Sequence, residues 1–595
     1  MQKYNSREEV PEKYKWNLTD FFKKEEDFNN SLNKCTKEIS NLKSYIGCCK
    51  NPSKLYEFLS KEIETIALWE DLYVYSYLIN DQELGNESAI IRKSKTEQLN
   101  LELEVNTSFF APELLKLEKE EYEELFKKEE KLLEFKDELD KIYREKEHIL
   151  TENEENIISS LVNSMNHYDD ISSTLLNTLH DYGTVKIDNE NVTIATNNYS
   201  HLMKNEDRSI RKKVRDNFNK VIDKYSTANA MLLSSYVAMN DTIAKIRHYN
   251  SSWDQKMFNT NLDSEIFKTL VRTTEDNIDI LQRYYELKKK VLKLDKLTSY
   301  DLGLEIINSN KEYDIETAQE IILEAIKPLG NEYINKFRKI FDERYIDYCQ
   351  YKGKCSGGYS FSTINNNSRI LMSFNGNLDS VSTIAHEGGH NVHHQFLKEN
   401  NPIMYRNPES IVCEVASLTN ECLLSNYLVN NGTKEEQLAG LANIINVIVS
   451  NLFGAVREGY IEEKFNNLVH KGGTITKEFM DKEVLKSLKK YYGPAVKVDK
   501  KAKNSWVNRS HYYMSYYLYS YAICISVASY VATNILNGNK DMLTKYIAFL
   551  KTGSDKWPME AFEVLGINLE SKEVYENAIK YFDSLVTKYK EIKDE

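Results

Sequence analysis

Thr383-Ile384-Ala385-His386-Glu387-Gly388-Gly389-His390-Asn391-Val392-His393-His394 is the stretch from which the rest of this 595-residue chain is read. Asp379-Ser380 just before it supplies an N-cap, and the pattern predicts a helix from near Val381 through Phe396. On that helix His386 and His390 are four residues apart, so both imidazoles leave one face, one turn apart, and converge on a common point. Such a pair suits a tetrahedral zinc ion. Glu387, one residue after the first histidine, projects beside the metal as a general base instead of a ligand. Zinc lowers the pKa of a bound water from about 15.7 to about 7, which points to metal-assisted attack on a peptide carbonyl. Gly388 and Gly389 together cost roughly 2 kcal/mol of helix propensity relative to alanine. A close approach by another backbone or by a substrate would offset that cost.

Upstream, Gly357-Gly358 and a Ser/Asn-rich stretch lead into Arg369-Ile370-Leu371-Met372-Ser373-Phe374, a glycine turn followed by a strand. Strand addition by an extended peptide would give such a strand sequence-independent contacts to a substrate. Downstream must lie a third ligand, because catalytic zinc sites take three protein ligands and leave one position open. Glu399 and Glu409 sit in a polar, Pro-punctuated loop. Glu414 and Glu421 are seven residues apart on one face of an apolar helix, Ser410 to Leu428, and a packed helix positions a ligand better than a loop. Spacing leaves both open, one as the ligand and the other as its support. His393 shares the face of His386 and reads as a support or a cleft wall; His394 points elsewhere, toward the surface.

With only 8 Pro and 21 Gly in the chain, long uninterrupted helices should dominate. From Asn17 to about Tyr168 apolar residues recur at three and four, as in helical hairpins. Val185, Ile187, Val192 and Ile194 alternate around Asp188-Asn189 as a short hairpin, and Tyr300-Asp301-Leu302-Gly303 reads as a turn or domain seam. The formal charge of −13 disfavours nucleic acid. A negative mean hydropathy argues against a membrane protein, and Ala522 to Leu536, interrupted by polar residues, reads as core. The eight cysteines lack paired spacing, so reduced thiols are expected. A charged N-terminal segment without an apolar core places the protein in the cytoplasm.

The metal motif with its continuation to His393, together with Cys413-Glu414-Val415-Ala416-Ser417 and Asn420-Glu421, resembles the oligoendopeptidase F branch of the thimet oligopeptidase-like zinc metallopeptidases. Trp16-Asn17-Leu18-Thr19-Asp20, Tyr300-Asp301-Leu302 and Gly357 to Phe374 extend the likeness over nearly the whole chain. The resemblance implies a mostly α, large multi-lobed, zincin-like metallopeptidase with a small β element beside the active helix and a deep substrate channel. It assigns His386, His390 and Glu414 to one catalytic zinc ion and Glu387 to the base. It implies cleavage of internal bonds in short unstructured peptides, by an N-terminal helical lobe (1–200) and a catalytic domain (201–595). Gly388 departs from the family, where a bulky apolar residue is usual, and this should loosen the packing of the helix.

A second candidate element is His511-Tyr512-Tyr513-Met514-Ser515-Tyr516-Tyr517-Leu518-Tyr519-Ser520-Tyr521, with six tyrosines behind one histidine. An aromatic core stripe accounts for many tyrosines, but a peptidase also needs donors aimed at the tetrahedral oxyanion. By resemblance, His511 with Tyr517 and Tyr521, one helical turn apart, take that role.

Overall fold

The computed structural model describes residues 4–594 except 152–153, 155–156, 159–160, 162–166, 178–180 and 308, so part of the helical stretch expected up to Tyr168 lies outside the described residues. Helices dominate, with two small two-stranded sheets and one three-stranded sheet among the described residues. The chain forms two compact units, each assembled from separated segments. One comprises Met1–Ile149, Asn310–Asn430 and Val531–Ile567; the other Leu150–Ser309, Asn431–Tyr530 and Asn568–Glu595.

In the first unit the early segment is a set of helices, Glu25–Leu42, Pro52–Gln82 and Glu87–Thr107. Pro52 opens the longest of them where its missing N–H costs nothing, and the Asn51 side chain caps it by accepting from the Lys54 N–H. Phe28, Cys35, Ile39, Leu55, Phe58, Leu72, Leu99 and Leu103 interlock as its core. The three-stranded sheet has Arg369–Phe374 in the middle, parallel to Ile346–Cys349 and antiparallel to Tyr359–Phe361. The strand was correctly read, but its expected pairing with a peptide is overturned. Ile370 is in register with Ile346 on one side and with Ser360 on the other, so both edges are already used.

Arg369 explains why a short N-terminal motif matters. Its guanidinium is fully buried and donates to the Asn17 carbonyl and to Asp20 Oδ2, each at 2.7 Å. Trp16 joins Phe21, Val74, Leu78 and Leu371 in an apolar cluster alongside. A buried guanidinium without such partners would be heavily penalised.

The motif helix runs Leu378–Asn400, and its cap is Asn377, whose Oδ1 accepts from the Ser380 N–H at 2.9 Å. Asp379 and Ser380 therefore lie inside the first turn, three residues earlier than the start read from the sequence. The helix packs on Gly330–Asp342 and on Ser410–Asn431. At Gly389 an added Cβ would lie 2.7 Å from Ser417 Cα and 2.9 Å from the Ala416 carbonyl, so the second helix touches backbone to backbone there. At Gly388 the same position is filled by the ring of Phe337, which is fully buried. The departure at Gly388 thus does not loosen the helix. A bulky side chain from the neighbouring helix replaces the one the motif helix lacks.

In the second unit, Arg208–Ile246 runs for 39 residues and packs Val214, Phe218, Ile222 and Leu233 against Ile461, Phe465, Met480 and Val484. The expected hairpin is present as Thr184–Ile187 and Glu190–Thr193, with Val185 opposite Val192. Asp188 and Asn189 take φ of 49° and 69°, as a two-residue turn of this hand requires. Tyr300 to Gly303 forms a turn around Asp301, which is fully buried and accepts from Arg208, Arg211 and Thr298.

Replacing Phe337 by Ala should destabilise the fold by about 3–5 kcal/mol. If the ring substitutes for a side chain at 388, Gly388→Leu should restore part of the lost Tm in the Phe337→Ala background and lower it in the wild type. A Gly388→Leu effect of the same sign in both backgrounds would contradict this packing.

Candidate active site

Every member of the metal motif lies in the first unit, on two helices fixed by the contact at Gly389. Glu414 Oε2 is 3.6 Å from His386 Nε2 and 3.6 Å from His390 Nε2. The three donor atoms lie within 4.8 Å of one another. A tetrahedral ion bound at about 2.0–2.2 Å needs donors roughly 3.3–3.6 Å apart, so two imidazole nitrogens and one carboxylate oxygen here fit zinc in both chemistry and spacing. Ser417 Oγ donates to the Glu414 carbonyl at 2.8 Å and lies 3.2 Å from Glu414 Oε2, beside the carboxylate.

The alternative left open by spacing is resolved by which nitrogen each acid faces. Glu421 Oε1 lies 2.7 Å from His386 Nδ1, the ring atom turned away from Glu414. With Nδ1–H donating to Glu421, Nε2 keeps its lone pair for a cation. Glu421 is fixed in turn by Ser382 Oγ, which donates to Oε2 at 3.1 Å. Asn420 Nδ2 donates to the Ala385 carbonyl at 3.0 Å, and Tyr333 Oη donates to Asn420 Oδ1 at 2.9 Å, so a third helix braces the pair.

Burial pushes the protonated form of His386 down, but the hydrogen bond and charge of Glu421 outweigh it and raise the group to about 9. His390, buried beside His386 without such a partner, falls to about 4. Burial is the main reason that the Glu387 carboxyl rises to about 7, partly opposed by His386 and by the Ser360 backbone amide. A cation and a proton compete for these nitrogens, so a bound metal would take the place of the proton.

Two expectations for neighbouring histidines need correction. His394 is buried, not at the surface, and its Nε2 lies 3.2 Å from the Asn366 carbonyl. His393 is also buried; its ring stacks on Phe549 at 6.4 Å, and burial drives it down to about 3. It is a core histidine, and its Nε2 is buried with no hydrogen-bond partner among the described residues. Phe337, Ser382 and Tyr333 carried no signal in the sequence because each acts across a tertiary contact. Asn420 stood next to Glu421 and was in view only as part of a motif.

His511, Tyr517 and Tyr521 gather in the second unit. Ring centroids are 6.5 Å apart for His511 and Tyr517, 5.9 Å for His511 and Tyr521, and 5.3 Å for the two tyrosines. Tyr521 Oη lies 3.5 Å from His511 Nε2. His511 and Tyr521 line a cavity of about 490 Å³ with Arg457, Glu458 and Arg509.

Comparison with known proteins places these observations in a family. The model of peptidase family M3 matches residues 201–581 and that of oligopeptidase F matches residues 113–179. The chain is 30% identical to the oligoendopeptidase F homolog of Borreliella burgdorferi, with 99% of each chain covered. A crystal structure from Chlamydophila abortus shares the fold with a TM-score of 0.90 at 23% identity, covering 99% of this chain and 100% of that one. The crystal structure of oligoendopeptidase-F from Enterococcus faecium gives a TM-score of 0.75 at 25% identity, covering 96% and 99%.

If Glu421 orients His386, Glu421→Ala should weaken divalent-metal affinity by about 10- to 100-fold, read by competition with a chelator. An unchanged affinity would remove Glu421 from the site.

Proposed function

Since the chain belongs to peptidase family M3 and is a metallopeptidase, we propose that it is a zinc-dependent oligoendopeptidase that hydrolyses internal bonds of short, unstructured peptides. The observation that carries the reading is the equal 3.6 Å separation of Glu414 Oε2 from both histidine Nε2 atoms. His386, His390 and Glu414 would hold one zinc ion. When bound, zinc supplies a Lewis acid that polarises the scissile carbonyl and acidifies water.

The remaining steps belong to the chain's own side chains. Glu387 takes the proton of the attacking water on its carboxylate and passes it to the departing amine, so one group serves first as base and then as acid. Glu421, through Nδ1–H, keeps the His386 ring in the orientation and tautomer the site requires. His511, Tyr517 and Tyr521 donate hydrogen bonds to the oxyanion; their mutual proximity supports treating them as one group.

The match over 201–581 supports a catalytic domain at 201–595 preceded by the 1–200 helical lobe, a division along the sequence that differs from the two compact units. The eight cysteines are free thiols, which supports action in the cytoplasm. Net charge of −13 argues against nucleic acid as a partner, and soluble peptides without a membrane are the proposed substrates.

An internally quenched peptide blocked at both ends should be cut internally by the wild type. Glu387→Gln, with its zinc content unchanged, should cut it at least about 100-fold more slowly. Cleavage only of peptides with a free C-terminus would favour a carboxypeptidase instead, and full activity in Glu387→Gln would remove that residue's role.

A further inference from the structure

The segment that carries His511 and Tyr517 makes an irregular turn whose backbone is unusual. Tyr516 has φ of 59°, in the left-handed region that a non-glycine, bulky residue rarely occupies. Holding it there is costly, so the surroundings must over-determine it. They do so through one helix, Ala455–His470, on which Glu458 and Glu462 are buried one turn apart on the same face.

Glu462 Oε1 accepts the Tyr516 backbone N–H at 2.6 Å. Glu458 Oε2 accepts from Tyr512 Oη at 2.5 Å, and Glu458 Oε1 pairs with Arg457 at 2.5 Å. Between these two points, Tyr236 Oη donates to the Tyr513 carbonyl at 2.7 Å and lies 3.0 Å from Ser515 Oγ. The Tyr516 ring packs edge-on against Trp253 with centroids 4.6 Å apart. Residues 512 to 516 are thus pinned at nearly every step, while His511 precedes the pinned stretch and Tyr517 follows it.

The two glutamates differ in kind. Glu458 is a charged anchor: burial opposes its ionisation, but Arg457, Arg509 and Tyr512 hold it down to about 2. For Glu462 burial prevails and raises the carboxyl to about 8, and its second oxygen is buried without a hydrogen-bond partner among the described residues. A fold that needed only to fill this space would use an apolar side chain, since a buried acid with one bonded oxygen is costly. The single bond it does make is to the amide of the one residue of the segment in a left-handed conformation.

We infer that Glu462 is a positioning residue for the oxyanion-binding segment: by accepting the Tyr516 N–H it fixes the left-handed turn that brings His511 together with Tyr517 and Tyr521. This rests on the proposed role of His511 and the two tyrosines. A misplacement of about 1 Å in such a group can cost on the order of 100-fold in rate, so the bond would act on turnover without touching substrate or metal.

The test compares Glu462→Gln, which keeps an acceptor oxygen, with Glu462→Leu, which fills the space without one, using full-length protein with zinc content and circular dichroism checked. For Glu462→Leu, kcat should fall about 10- to 100-fold with KM within about threefold. Glu462→Gln should restore kcat to within about threefold of wild type. In a His511→Ala background, Glu462→Leu should add little further loss, because both act through one segment. Wild-type kcat in Glu462→Leu, or equal losses in the Leu and Gln variants, would overturn the inference. Full multiplication of the two losses would also overturn it. If His511→Ala alone leaves kcat unchanged, the oxyanion role itself fails; if His511→Ala lowers kcat and Glu462→Leu does not, only the positioning role fails.

Discussion

The site depends on how closely two helices approach at Gly389. With Ser417 Cα only 2.7 Å from where a side chain would begin, the backbones are locked in one register. That register decides which acid faces which nitrogen. Glu414 is three residues before the contact and Glu421 four residues after it, so they flank the crossing point and reach His386 from opposite sides of its ring. The helix propensity lost at Gly388 and Gly389 is offset by backbone contact at one and by the Phe337 ring at the other.

Buried polar groups do much of the remaining positioning. Arg369 ties the N-terminal motif to the strand in front of the motif helix. Asp301 gathers Arg208, Arg211 and Thr298 in the second unit. Glu458 and Glu462 pin the tyrosine-rich segment. Each group is expensive to bury; Arg369, Asp301 and Glu458 are compensated by named partners, and Glu462 by its one bond to Tyr516, so each specifies one arrangement of chain where apolar packing would tolerate several. Short motifs that look weak in the sequence, such as Trp16 to Asp20 and Tyr300 to Leu302, acquire a physical meaning as the partners of these charges.

How much of this was legible follows from the range of each interaction. The helical character of the chain, the strand at Arg369–Phe374, the hairpin around Asp188 and Asn189, and the convergence of His386 and His390 depend on local spacing and were read from it. Glu414 and Glu421 were in view as a pair, but spacing along one helix face cannot say which will meet Nε2 and which Nδ1. His394 looked like a surface residue because amphipathic reasoning assumes a solvent side, and most of this helix is buried. The start of the helix was misplaced because Asn377, Asp379 and Ser380 are all competent caps. The filling of Gly388 by Phe337, and the pinning of Tyr516 by Glu462, join residues about fifty positions apart and leave no local trace.

On the proposed function, His386, His390 and Glu414 would hold one zinc ion, with Glu421 behind it. The most direct measurement is anomalous diffraction at the zinc edge from crystals of the zinc-loaded protein. A single strong peak is expected about 2.0–2.2 Å from His386 Nε2, His390 Nε2 and a Glu414 carboxylate oxygen, with Glu421 bonded to His386 Nδ1 and not to the metal. A peak coordinated by Glu421 in place of Glu414, or no peak between the two histidines, would contradict it.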